Sequence, residues 1–252
     1  MTNTAFPYIN FEQKADAEAV VHSVKEAIRP DGEGYCIVRN GAMDADEFMM
    51  LLHERVAASF TNSSVDGRRV PYDLVMDRGE EQYNKGGSIL SASNLVFPLH
   101  TDCSYLDKPA DVVTLYCVQN SESGGESLLL NINKIIPLLP QDHLQLLLTQ
   151  KFRIYSKEYS ILERSGPLYL VRYSIDEMLS SYPEPAHESL RSTLAPFNSL
   201  LNNSSHYITI KLKPNDCLLV NNRTSLHGRH AFEANSRRVF LRARQYWRDD
   251  NR

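Results

Sequence analysis

Between residues 95 and 247 the chain is a succession of short β-rich runs cut by turn residues, and this constrains its fold more than any other feature. Runs at 111–118 (DVVTLYCV), 127–131 (SLLLN), 152–155 (FRIY), 168–173 (LYLVRY), 207–211 (YITIK), 217–220 (CLLV) and 238–247 (RVFLRARQYW) have the length and the β-branched and aromatic content of strands. Strands this short must bury their apolar faces on a second sheet, so an antiparallel double-sheet barrel is the expected solution. Helical periodicity concentrates at the N-terminus. Val20, Val21, Val24, Ala27 and Ile28 recur at helical spacing over 14–28, and Arg29, Pro30, Asp31 and Gly32 end the run. A strand is expected over 34–39, then a helix capped by Asp44 or Asp46, with Phe48, Leu51, Leu52 and Val56 on its apolar stripe. Further helices are expected over 140–150 and 186–202, the second kinked or restarted at Pro196.

Residues 61–93 are polar and weakly periodic; they read either as a lid or binding loop, or as a surface excursion. No repeat or linker divides the chain, so 1–252 reads as a single domain. It has a helical support region over 1–60, the candidate lid over 61–93 and a barrel core over 95–247.

Charge and cysteine content narrow the function. Lys and Arg total 27 against 31 Asp and Glu, a net −4, which disfavours nucleic-acid binding through a broad basic surface. No apolar run reaches the roughly 20 residues needed to cross a bilayer, and the opening MTNTAFPYINFEQK lacks a signal-peptide core. A cytoplasmic protein with no membrane association is expected. Cys36, Cys103, Cys117 and Cys217 are scattered, without a CxxC pair, and are expected as free thiols.

Of eight histidines, His22, His53, His143 and His187 fall on expected helices or their starts and read as ordinary surface or satisfied side chains. Only His100 is followed two residues later by a carboxylate, Asp102. In extended backbone, positions i and i+2 project to one face, so the pair can converge on one ion. His227 follows a turn and a hydrophobic strand, which puts it at a strand end of the same barrel. Two imidazoles and one carboxylate leave three positions of an octahedron open, which suits non-heme Fe(II), whereas structural zinc prefers a closed set rich in sulfur. Downstream, Arg238, Phe240, Arg242 and Arg244 share one face of a strand. That face either points inward as an anion-binding wall, or points outward while Val239, Leu241, Ala243 and Gln245 face the core.

FPLHTD (97–102), GGES (124–127), DCLLVNN (216–222), LHGR (226–229) and RRVFLR (237–242) occur in that order. With these patches the chain resembles the Fe(II)/2-oxoglutarate-dependent oxygenases of the taurine dioxygenase and clavaminate synthase-like superfamily. The resemblance implies an α+β fold, a double-stranded β-helix (jelly-roll, cupin-like) barrel backed by N-terminal helices. It implies that His100, Asp102 and His227 are the iron ligands. Arg238, eleven residues after the second histidine, would pair with the distal carboxylate of 2-oxoglutarate, and Ser127 would bond the same group. Arg242 matches a position that faces either cosubstrate or substrate.

The implied reaction consumes O2 and 2-oxoglutarate, releases succinate and CO2, and oxidises a C–H bond, most simply by hydroxylation. A carboxylate at Asp102 favours oxygenation over halogenation. One departure is Asn215 before Asp216, where the family usually has glycine; asparagine also tolerates positive φ. Substrate residues do not carry over. Tyr105, Arg172 and Arg244 are the candidates here, for a small polar substrate bearing a carboxylate, such as an amino acid or an acid of secondary metabolism. Two other readings stay open: a metal-dependent hydrolase or isomerase on the same barrel, and a non-catalytic ligand-binding barrel. The oligomeric state is not legible.

Overall fold

Among the described residues of the computed structural model (6–61, 63–65, 67–77 and 90–248), eleven strands pair into two sheets. The larger has seven: β1 (Tyr8–Phe11), β2 (Tyr35–Asn40), β3 (Ala57–Ser59), β4 (Asp73–Met76), β6 (Val112–Gln119), β9 (Asp216–Asn221) and β11 (Val239–Trp247). Its order is β1-β2-β9-β6-β11-β3, with β4 also on β11. The smaller holds β5 (Phe97–His100), β7 (Ser127–Asn131), β8 (Ile208–Ile210) and β10 (Ser225–Arg229) in the order β8-β7-β10-β5. All of these pairings are antiparallel except β1 with β2. From β4 to β7 successive strands alternate between the sheets, and from β8 to β11 they alternate again.

Period-two burial builds the layers. In β9, Cys217 and Leu219 point away from the small sheet, beneath α1 (Ala17–Ile28) and α2 (Ala45–Arg55), where Val24, Ile28, Phe48 and Leu52 cover them. Leu218 and Val220 point the other way and meet Leu129 of the small sheet, together with Ile37 and Phe240. Beyond the small sheet, Leu128, Leu130 and Leu226 pack against Leu144 and Leu147 of α3 (Gln141–Thr149) and Phe197. The site lies between the two sheets.

Several expectations are refined. Asp44 is the α2 cap, accepting from the Glu47 N–H at 2.8 Å. The helical run 186–202 is two helices, His187–Thr193 and Ala195–Leu201, because Pro196 cannot continue a helix and sits in the first turn of the second. The 61–93 stretch is not wholly loop. Ser63–Val65 pairs with Arg68–Val70, and β4 joins β11, a non-local pairing that local periodicity cannot reveal. Within the candidate lid, Leu90–Ala92 form a 3-10 turn, and 62, 66 and 78–89 lie outside the described residues. No ladder joins the two sheets among the described residues, so the expected barrel is a sandwich here. All four cysteines are buried and free, and no helix among the described residues is long and apolar enough to cross a membrane.

Candidate active site

His100 and His227 are direct cross-strand partners, one at the end of β5 and the other in the middle of β10. Close approach of these strands requires Gly228, since a Cβ there would lie 2.8 Å from the Phe97 carbonyl oxygen. Asp102, two residues past His100, turns back to the same point. Its Oδ1 is 3.3 Å from His100 Nε2 and 3.5 Å from His227 Nε2, and all three side chains are buried. His100 Nδ1 donates to the Pro98 carbonyl at 2.8 Å, so Nε2 is the ring nitrogen that faces Asp102. Burial first, then the neighbouring His100, lower the His227 pKa against the opposing pull of Asp102. The three ligand atoms lie within 4.8 Å of one another, close enough to hold one cation, and an N,N,O set fits a divalent transition metal.

Other residues fix the aspartate. Asn222, fully buried, accepts from the Asp102 N–H at 2.8 Å and donates to the carbonyls of Asp102 and Ala110, both at 2.9 Å. Arg244 Nε donates to Asp102 Oδ2 at 2.8 Å, so that oxygen is engaged while Oδ1 faces the imidazoles. Asp73 of β4 completes the network, accepting from Arg242 Nη2 at 2.9 Å and lying 3.6 Å from Arg244 Nη1. Burial alone would lift the Asp102 carboxyl, but Arg244, the two imidazoles and Arg242 hold it well below the usual carboxylate range.

The arginine face of β11 therefore points inward, while Leu241 and Ala243 lie under the N-terminal helices. Arg238 is 6% exposed, stands against the rings of Phe240 (4.0 Å) and Phe232 (5.4 Å), and leaves its Nε without a partner. Among the described residues no carboxylate pairs with it, and burial together with Arg229 pulls its pKa down to about 9. Arg229 is occupied differently, donating to the carbonyls of Ser93 and Leu95. Ser127 lines the same narrow inner cavity as Arg238, Arg242 and the three metal-type ligands. The turn before it has Gly124 at φ 69° and Gly125 at φ 73°, and a Cβ on Gly124 would lie 2.1 Å from the Ala231 oxygen. The turn at Asn215 also survives without glycine, at φ 71°.

An outer cavity of about 260 Å³ shares Phe97, His100, Asp102 and Arg242 with the inner one and adds Tyr105, Tyr155, Glu177 and Arg244. Tyr105 and Arg244 thus both line the cavity beside His100 and Asp102. Arg172 does not line this cavity. Its guanidinium donates to the carbonyls of Ser104 and Leu106 and stacks on Tyr159 at 3.7 Å, bracing the loop after Asp102. Sequence reasoning missed Asp73, Glu177 and Tyr155, and gave Asn222 no role. The two residues before Arg223 were the only available signal for the last, as part of the patch ending at 222.

The family described as taurine catabolism dioxygenase TauD, TfdA family, matches residues 4–172 and 168–244. The chain belongs to the TauD/TfdA family. Mitochondrial trimethyllysine dioxygenase of Gallus gallus is 22% identical over 215 residues, 74% of this chain and 47% of that protein. The Mus musculus enzyme is 22% identical over 216 residues. This TauD/TfdA chain spans about half the length of the curated relatives it matches. Its fold resembles that of asparagine oxygenase (AsnO), with a TM-score of 0.68 at 14% identity over 95% of this chain and 92% of the other. It also resembles the non-heme iron oxygenase OrfP in complex with Fe and alpha-ketoglutaric acid, at TM-score 0.65 and 14% identity over 97% and 95%. In this TauD/TfdA protein the N,N,O set suits such an iron, and Arg238, which meets no carboxylate among the described residues, suits a dicarboxylate.

Proposed function

We propose that the chain is a dioxygenase dependent on Fe(II) and 2-oxoglutarate that hydroxylates an unactivated C–H bond of a small carboxylate-bearing substrate, releasing succinate and CO2. The observation that carries this is the convergence of His100, Asp102 and His227 in one cavity with a buried arginine that has no anionic partner among the described residues. Bound iron and 2-oxoglutarate would supply the oxidative chemistry with O2. The protein's own residues hold and orient. His100 and His227 offer Nε2, and Asp102 offers Oδ1 while Arg244 keeps Oδ2 engaged. Arg238 can clamp the distal carboxylate with two parallel N–H donors, Ser127 can add a hydroxyl, and the rings of Phe232 and Phe240 keep water from that ion pair. Arg242 and Arg244 each retain N–H groups beyond those given to the two aspartates, which suits a substrate carboxylate in the outer cavity.

The alternation of strands between two sheets supports the jelly-roll reading of the fold, and the shared core supports one catalytic domain. Four buried free thiols suit a reducing, cytoplasmic setting. Structures of similar fold contain hydroxyasparagine or hydroxyarginine, and the curated relatives are named for trimethyllysine, so an amino acid or related natural-product acid is the favoured class.

Anaerobic addition of Fe(II) and 2-oxoglutarate to the metal-free protein should produce a weak visible charge-transfer band, and admitting O2 with substrate should release succinate. Asp102→Ala should lose both signals. Arg238→Ala should weaken cosubstrate affinity by about 2–5 kcal/mol. Zinc in the purified protein, with no band on adding iron and 2-oxoglutarate, would favour a hydrolase instead.

A further inference from the structure

The outer cavity has an anionic side that the dioxygenase reading leaves without a task. Glu177 belongs to the short helix Ile175–Leu179 and lines the cavity together with Arg242 and Arg244. It accepts a hydrogen bond from Ser104 Oγ, yet it pairs with neither arginine nor with any other cation among the described residues. Burial pushes its carboxyl pKa up, as expected of an anion taken from water without a counter-charge. Beside it stand two aromatic rings. Tyr105 and Tyr155 meet edge-on with centroids 5.5 Å apart, and both line the cavity.

Tyr155 holds that place at a conformational cost. It sits at φ 56° in the two-residue turn between Phe152–Ile154 and Lys157–Tyr159, where glycine or asparagine is the natural occupant. Its N–H donates to Ser181 Oγ at 2.5 Å, and Ser181 Oγ donates to the Glu177 carbonyl at 2.5 Å, so the turn is roped to the glutamate's own helix. A non-glycine residue kept in the left-handed region at the rim of a cavity points to a job for its side chain.

We propose that Glu177, flanked by Tyr105 and Tyr155, binds a cationic nitrogen, so that the substrate is a zwitterion: an amino acid whose carboxylate meets Arg242 or Arg244 and whose ammonium meets Glu177. Arg242, Arg244 and Glu177 line one cavity, which therefore offers charges of both signs to a two-ended ligand. A simple carboxylate anion would leave Glu177 without a counter-charge, and a half-buried carboxylate in that state is costly. The π faces of the tyrosines add attraction for the same cation.

This inference rests on the dioxygenase reading, and its test separates the two. The protein loaded anaerobically with Fe(II) and 2-oxoglutarate is titrated by calorimetry with the common L-α-amino acids. For each that binds, the matching deamino carboxylic acid is titrated as well. At least one amino acid should bind more tightly than its deamino counterpart. Glu177→Gln should weaken that amino acid by about 10- to 100-fold and leave the deamino acid unchanged. Tyr155→Ala should weaken the amino acid by about three- to tenfold, and Tyr155→Phe should retain its affinity. Equal binding of both members of each pair, equal losses in Glu177→Gln, or no amino acid bound while the charge-transfer band is present would overturn the zwitterion and spare the dioxygenase. Absence of the band would sink both.

Discussion

Arg238 is a guanidinium taken out of water with no carboxylate to meet it among the described residues, and that makes it a liability to the ligand-free fold. Replacing such a charge with an apolar side chain of similar length removes the desolvation cost and keeps the contacts with Phe232 and Phe240. Arg238→Met should therefore raise the stability of the ligand-free protein by about 1–3 kcal/mol. The same variant should lose the upward shift in Tm that 2-oxoglutarate with a divalent metal gives the parent. Thermal melts with and without cosubstrate check both halves. A melt lowered in the ligand-free variant would mean that the guanidinium is already satisfied. Residues of this kind are where stability and function pull apart.

At the level of elements, the turn carrying Tyr155 offers the complementary experiment. Asparagine tolerates positive φ far better than tyrosine does, so Tyr155→Asn should stabilise the protein by about 1 kcal/mol while removing a ring from the outer cavity. Denaturant midpoints measure the first effect; a lowered midpoint would show that packing of the ring outweighs the backbone strain. Elements like β9 and β11 were legible in the sequence because period two and β-branched content announce a strand without reference to its neighbours. His100 and Asp102 were legible for the same reason, since their two-residue spacing fixes their common face. Which face of β11 points inward was not legible, because it depends on where the N-terminal helices lie. Asp73 escaped notice because its partners are 169 and 171 positions away, reached only once β4 pairs with β11. Arg172 misled for a related reason: nothing local shows that its donors are taken by the carbonyls of the loop after Asp102.

Taken whole, the molecule is layered so that its apolar cores stand apart from its ionic centre. One cluster lies under the N-terminal helices, one between the sheets and one beneath the C-terminal helices, and none depends on the three putting their ligand atoms around an ion. Removing metal with a chelator should therefore lower the Tm by mass action while leaving the far-UV circular dichroism unchanged. Loss of secondary structure on chelation would show that the ion, rather than these clusters, holds the layers together. The buried amide of Asn222 has a practical consequence for making the protein. Asn222, Arg223 and Thr224 form an acceptor triplet for N-linked sugar. A glycan attached to that nitrogen in a secretory host, before folding, would block its bonds to Asp102 and Ala110 and leave those chains unable to set the aspartate in place. Expression in a bacterial cytosol avoids that heterogeneity.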